Sequence, residues 1–402
     1  MKHVNDNSKP ITFISMFSGI EAASVAFGPL GWKALCFAEI EKFPSAVLAH
    51  HYPDVPNVGD MSKHDWAQYH GKVDIVCGGP PCQDFSIAGL RAGLDGERGS
   101  LSITYMRALH AIKPRNAIIE NVTGWLTDKK NAFGCFLAGL VGADDPLRSP
   151  KRKSWPNAGM VAGPLGRAAW RVLDAKYFGV AQQRNRVIVV ADFGEGADPS
   201  AVLFERKSLR WHFEEGGEEQ HKIAQCTEVC AGGDCWPKDI VSTLDTSLGG
   251  KMGLDNQHIR SGAPWFVPTS DVVIFEGNTS RNKPKVGQTA PTVVKRTFLS
   301  ICSGSSLRRL TPSECEKLQG FPGNHTRIPV KKYRSKRVTK NRPEHMWEVI
   351  DGEWWLMAAD TPRYQAIGNS WAVPKFIWLG ERIQKLMPAN DNSIELNHKR
   401  AA

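Results

Sequence analysis

Five short apolar runs in the first 191 residues constrain this chain more than any other feature. They are Ile11 to Phe17, Leu35 to Ala38, Val73 to Cys77, Ala117 to Ile119 and Val187 to Ala191, and most close on a glycine, a serine or an acid. Helical stretches lie between them: about Glu21 to Phe27, Lys42 to His50, Leu101 to Ile112 and Arg167 to Ala175. Strands that alternate with helices imply a mostly parallel sheet covered on both faces, an α/β domain. In such a sheet ligands collect beyond the carboxyl ends of the strands, so the residues there are the first to read for chemistry.

Those ends carry Ser18 and Gly19, then Glu39, then the segment Gly78 to Ser86 (GGPPCQDFS), then Glu120. Gly19 opens a helix without a GxGxxG fingerprint, which speaks against a diphosphate ligand. Glu39 follows at the spacing where a second-strand acid accepts hydrogen bonds from ribose hydroxyls, and a plain surface carboxylate is the alternative. Together they point to a nucleoside-bearing cofactor without a diphosphate. Pro80 and Pro81 fix φ and remove donors, while Gly78 and Gly79 permit a sharp turn, so Cys82 is presented on a stiff loop. A thiol held this way is either a nucleophile or a small buried hydrophobe. Glu120 emerges from its strand at the same edge. A thiol and a carboxylic acid together suit attack on an electron-poor ring, the acid protonating a ring nitrogen as the nucleophile adds.

Composition narrows the class. The 402 residues are 41% hydrophobic and 23% charged, as expected of a water-soluble globular protein of one large domain and a smaller one. No apolar run reaches 18 residues, and the polar N-terminus MKHVNDNSKP lacks the core of a signal peptide. The expectation is a cytoplasmic protein without a membrane partner. Nine cysteines, an odd number scattered over a long chain, argue for reduced thiols rather than a disulfide framework. Cys226, Cys230 and Cys235 lack the paired spacing or histidine partner of a zinc site, so no metal is expected. The net charge is +10, and eight basic residues with no acidic one fall between Thr326 and Arg342. That density of one sign, with Tyr333 among it, favours a polyanionic partner and nucleic acid first.

After residue 191 the pattern becomes irregular, rich in Gly, Thr, Ser and Asn to about Ser300, as in a separate loop-rich module. Regular signals return at RRLTPSECEKLQGFP (Arg308 to Pro322). There Thr311 caps, Pro312 fits the first helical position, and Glu314 lies in capping-box spacing.

These segments together resemble the DNA cytosine-5 methyltransferases, bacterial or phage type. FSGIE at Phe17 to Glu21 resembles their first cofactor motif, GGPPCQDFS the motif of the nucleophile, and Glu120 to Val122 the ENV motif. QQRNR at Gln182 to Arg186, RRLTPSECEKLQGFP, and QAIGNSWAVP at Gln365 to Pro374 are similar to the later motifs, and all occur in the family's linear order. The chain departs from the pattern where a second glycine usually stands, at Glu21 or Ala22, and at Ala181, which replaces a proline. The segment Gly323 to Asp360 is unusually long between the last two motifs, and carries the basic run with Trp347, Trp354 and Trp355.

The resemblance implies a Rossmann-like S-adenosylmethionine-dependent methyltransferase domain at 1–192 and 360–390. A target-recognition domain at 193–322, a basic insertion at 323–359 and a disordered tail at 391–402 complete the expected organisation. It implies Cys82 as nucleophile toward ring carbon 6 of a flipped-out cytosine, Glu120 at ring nitrogen 3, Arg186 at the 2-oxo group and Arg184 as a structural or phosphate-binding partner. Phe17, Ser18, Gly19, Ile20, Glu39, Ile40, Asp60, Pro80, Asn369 and Ser370 would hold the cofactor. The implied partner is double-stranded DNA, bound by a monomer, in restriction-modification or in phage or prophage DNA protection. An RNA cytosine-5 methyltransferase and a non-catalytic DNA-binding protein of the same fold are the alternatives.

Overall fold

The computed structural model describes residues 9–81, 101–150, 154–204 and 310–388, together with the backbone of 272–276, 299–303 and 306–309. Cys82, the three cysteines 226, 230 and 235, the greater part of 193–322 and the tail 391–402 lie outside the described residues.

Seven strands form the central sheet: β1 (Thr12–Met16), β2 (Lys33–Ala38), β3 (Ile75–Gly78), β4 (Asn116–Val122), β5 (Ala158–Gly163), β6 (Gly166–Asp174) and β7 (Asn185–Asp192). Their spatial order is β2-β1-β3-β4-β7-β6-β5. The pairs β2-β1, β1-β3 and β3-β4 are parallel, and β4-β7, β7-β6 and β6-β5 are antiparallel. The Rossmann-like domain is present, and its parallel half carries the strand ends read from the sequence.

Side chains of the inner strands alternate between two apolar layers, as the two-residue period of a strand requires. Phe13, Ile75, Ile118, Ile188 and Val190 face one layer, with α1 (Ala22–Phe27) and the last helix. Ile14, Val76, Ile119, Val187 and Val189 face the other, with α2 excluded and α3 (Leu101–Ile112) and α4 (Ala132–Val141) packed there; α2 is Lys42–His51.

One segment differs from its sequence reading. Arg167 to Ala175, expected as a helix, lies but for its last residue in strand β6, which pairs with β7 over Arg167 to Asp174 and with β5 over Gly166 to Arg171. Tertiary packing overrides the propensity: Trp170 is buried edge-on to Phe133 and Trp155, a contact the strand's pleat permits. Val187 to Ala191 is a strand as expected, but runs antiparallel to β4.

Further along, β8 (Val272–Glu276), β9 (Leu299–Ser303) and β10 (Ser306–Arg309) form a three-stranded antiparallel sheet. The helix α5 (Pro199–Leu203) packs on β6 and β7. The helix α6 (Pro312–Leu318) begins with the expected capping box, Glu314 N donating to Thr311 Oγ1 at 3.3 Å and Thr311 N to Glu314 Oε2 at 2.6 Å. The basic segment then makes a second three-stranded antiparallel sheet from β11 (Pro329–Tyr333), β12 (Trp347–Ile350) and β13 (Glu353–Met357), with β13 central. Finally α7 (Asp360–Asn369) and α8 (Val373–Leu386) return to the first layer, where Phe376, Leu379 and Ile383 are buried.

Candidate active site at the carboxyl edge of the sheet

Strand register brings the sequence candidates together. Met16 lies opposite Ala38 and Gly78, and Gly78 lies opposite Ile119, so the turns after β1, β2 and β3 and the end of β4 share one edge. The Gly78 position is tight: a Cβ there would stand 2.8 Å from the Met16 carbonyl oxygen. Glycine is what lets β3 run close beside β1 before the prolines.

The turn after β1 is strained and braced. Phe17, Gly19 and Glu21 all adopt positive φ, 55°, 55° and 63°. The Gly19 amide donates to Glu39 Oε2 at 2.8 Å, and Glu39 Oε1 accepts from the Glu41 amide at 2.7 Å. Ser18 Oγ donates to the Ser15 carbonyl and accepts from the Ala38 amide, locking β1 to β2. Ile20 is buried, while Ile40 is exposed at the rim. Asp60 caps a short turn, accepting from the amide and hydroxyl of Ser62, and those bonds hold its carboxyl below the ordinary value. Open space surrounds Gly19 where a side chain would otherwise project. A cradle of this kind, with an acid at the second strand end, fits a nucleoside-bearing cofactor without a diphosphate.

Glu21 explains the departure noted in the sequence. It stands in the left-handed region, where glycine is comfortable, and offsets that strain by capping α1: its Oε1 accepts from the Ser24 amide and hydroxyl, each at 2.9 Å. Complete burial pushes its carboxyl up to about 7.

At the end of β4, Glu120 shares the strand parity of Ile118 and faces the layer that holds α8. Next to it, Asn121 Nδ2 donates to the Pro80 carbonyl at 3.0 Å, tying β4 to the proline turn two residues before Cys82. Arg186 lies on β7 on the same face, its register partner being Val122. Burial lowers its pKa from the ordinary value and neighbouring Glu120 opposes that fall. Arg184 is different in kind. Its fully buried guanidinium donates to the Gly368 carbonyl and, at 2.6 Å, to the Ser370 carbonyl. It thereby clamps the turn after α7, placing Asn369 at the surface and Ser370 in the interior.

Two residues of this edge were not singled out from the sequence. Lys375, in the first turn of α8, is fully buried with Nζ 3.3 Å from Glu120 Oε1. Its signal was a single lysine in the apolar stretch from Val373 to Leu379. His325 Nε2 donates to the Ile20 carbonyl at 2.8 Å, and its ring stacks on His51 at 4.3 Å. Burial pulls its pKa down to about 4, so the ring is neutral near pH 7. No period or motif marks that residue, because its partners are 274 and 305 positions away.

Comparison with known proteins agrees with this architecture. The family model for C-5 cytosine-specific DNA methylase matches residues 11–142 and 167–341. The chain is 36% identical to a DNA N-6-adenine-methyltransferase of Escherichia phage P1, over 94% of this chain and 61% of that protein. It is 30% identical to the Type II methyltransferase M.Eco47II of Escherichia coli, over 46% of this chain and 41% of the relative. It therefore spans less than two thirds of these relatives. Among solved structures, the S. pombe Dnmt2 methyltransferase superposes with a TM-score of 0.51 at 13% identity, covering 94% of this chain and 99% of that one, a likeness of fold. Family members use S-adenosyl-L-methionine, which the cradle around Gly19 and Glu39 fits. With the ordered motifs, the sheet and the family match in agreement, this chain belongs to the C-5 cytosine-specific DNA methylases.

Proposed function

We propose that this protein methylates carbon 5 of cytosine within a specific sequence of double-stranded DNA, in restriction-modification or in phage or prophage DNA protection. The observation that carries the reading is the meeting of Glu120 with the proline turn that leads to Cys82, through the Asn121 to Pro80 hydrogen bond. A nucleophile and an acid at one sheet edge answer the needs of an unreactive carbon.

Inside the duplex neither face of the cytosine ring is accessible, so the target base must leave the stack. Cys82 then adds to ring carbon 6, Glu120 meets ring nitrogen 3, and Arg186 holds the 2-oxo oxygen. Carbon 5 becomes nucleophilic in consequence. When bound, S-adenosyl-L-methionine supplies an electrophilic methyl group, and Phe17, Ser18, Gly19, Ile20, Glu39, Ile40, Asp60, Pro80, Asn369 and Ser370 would hold it. A base removes the carbon 5 proton and the thiol is eliminated. Arg184 braces the turn that carries Asn369 and Ser370.

DNA as the polyanion is supported by the second small sheet. Lys331 lies over the Tyr333 ring at 5.4 Å, Arg342 over the same ring at 5.5 Å, and Lys336 over Trp354 at 5.3 Å. Arg334, Arg337 and Lys340 are exposed, without a carboxylate partner among the described residues. Among the described residues no helix is long and apolar enough to cross a membrane.

The name of the phage P1 relative raises a second reading, methylation of the adenine amino nitrogen. An amino nitrogen needs neither a covalent nucleophile nor an acid at a ring nitrogen, and this chain carries both Cys82 and Glu120. Bisulfite sequencing of DNA from cells expressing this chain tests the reading, with expected protection of cytosine in one short word. Absence of protected cytosine together with new N6-methyladenine would replace it by the second. Covalent capture of DNA containing 5-fluorocytosine would exclude a non-catalytic binder, and transfer to tRNA alone would favour the RNA alternative.

A further inference from the structure

One charged group at the site has no task in the scheme above. Lys375 is fully buried, and an ammonium taken out of water costs free energy unless it is paired. Its partner is Glu120, with Nζ to Oε1 at 3.3 Å. The charged groups facing it are Glu120 on β4 and the guanidinium groups of Arg184 and Arg186 at and before β7. Lys375 thus shares the site with two further cations and one carboxylate. Pairing alone does not require a lysine here, since an arginine makes the stronger carboxylate partner. Lysine differs in one property that matters: it can surrender a proton, which an arginine in a protein does not. Arg184 is, moreover, committed to the carbonyls of Gly368 and Ser370.

We propose that Lys375 is the proton source for ring nitrogen 3, acting through Glu120 without touching the base; this rests on the cytosine reading above. As the sulfur to carbon 6 bond forms, the carbon 5 to carbon 6 pair shifts, the Glu120 carboxylate takes a proton from Lys375, whose Nζ–H bond breaks to leave a neutral amine, and the carboxyl so formed hands its proton to nitrogen 3. One Nζ–H bond is lost and one N3–H bond is gained, and the negative charge brought by the thiolate is neutralised. After the methyl is in place, loss of the carbon 5 proton and of the sulfur restores the aromatic ring, and nitrogen 3 returns its proton to Lys375 through Glu120. Burial, with Arg184 and Arg186 nearby, brings the ammonium down to about 8, where release and recapture are both accessible.

The test is single-turnover transfer of labelled methyl from S-adenosylmethionine to unmethylated bacterial genomic DNA, measured from pH 6 to 10. Three forms of the full chain are compared: wild type, Lys375→Arg and Lys375→Met. The wild-type rate is expected to fall above about pH 8, where Lys375 no longer holds its proton. Lys375→Arg keeps the cation and loses the transferable proton, so it should be about a hundredfold slower and lack that alkaline fall. A merely structural ion pair would instead be rescued by arginine. Thermal melting and S-adenosylmethionine binding verify that each variant is folded; if arginine does not fit the buried site, Lys375→Met carries the test through the loss of the alkaline fall. Wild-type speed in Lys375→Arg, or an unchanged alkaline fall in Lys375→Met, would overturn the assignment of Lys375 alone. A wild type that labels no cytosine in this DNA would overturn the cytosine reading and this inference with it.

Discussion

The two well-described sheets of this protein use the same hydrogen-bonded ladder for opposite purposes. In the seven-stranded sheet the inner strands are buried on both faces; β3 and the middle of β4 expose nothing. Their faces supply only packing, and all polar chemistry is confined to the ends. In the sheet β11-β13-β12 the strand Pro329 to Tyr333 is exposed or half-buried along its length, and the polar groups ride on the faces. Lys332 pairs with Glu353 across that ladder at 3.1 Å, while Lys331, Tyr333, Trp347 and Trp354 share the other face. At a strand end the register dictates where one side chain stands. On an open face many cations produce a field, and no single position is indispensable.

The contrast predicts two kinds of mutational response. The largest should come from the ends of the large sheet: Cys82→Ala and Glu120→Gln are each expected to slow single-turnover methyl transfer by a thousandfold or about that, with the cofactor still bound. A loss of less than tenfold in Glu120→Gln would remove the carboxyl from the mechanism.

Next in size is a pH effect on stability at the end of β1. Glu21 has its pKa raised from 4.5 to about 7 in the folded chain, so the folded state holds more protons than the unfolded state between those values. Stability from this group is complete below pH 4.5 and is lost as pH rises through 7. Glu21→Gln should therefore change little at pH 4 and gain up to ~3 kcal/mol at pH 8, read from urea midpoints. An equal effect at both pH values would contradict the burial of that carboxyl.

Smaller again is Gly78→Ala, which would drive a methyl group to 2.8 Å from the Met16 carbonyl and cost about 2 kcal/mol by denaturant unfolding. The smallest cost in folding belongs to the open sheet. Arg334→Ala, Arg337→Ala and Lys340→Ala together should leave the melting temperature nearly unchanged. They should nevertheless reduce the slope of log affinity against log salt for non-target duplex by about 3. Removal of Lys33, Lys72 and Lys385, exposed at the far side of the large sheet and at the end of α8, should leave that slope where it was. If both triple variants shifted it equally, the small sheet would be only one part of a diffuse charge.

What was legible in the sequence follows the same division. Buried strands announce themselves through unbroken apolar runs, so β1, β2, β3, β4 and β7 were readable, and the residues at their ends with them. The strand β6 was misread because its alanines and arginines suit a helix, and only its place between β5 and β7 decides otherwise. The β11-β13-β12 sheet was invisible as structure, since β11 is largely exposed with two lysines in place of an apolar run, and β12 and β13 are short, 4 and 5 residues. Lys375 and His325 escaped for another reason: each acquires its role from partners more than 250 positions away.

That return of the chain bears on biosynthesis. Glu120 lacks its buried partner until Lys375 has been made, and the guanidinium of Arg184 lacks its carbonyls until 368–370 exist. A nascent chain that has completed every strand of the central sheet still lacks both contacts. Assembly of the site is thereby deferred until residues 368–375 have been translated, and fragments released before that point would have the scaffold without the chemistry.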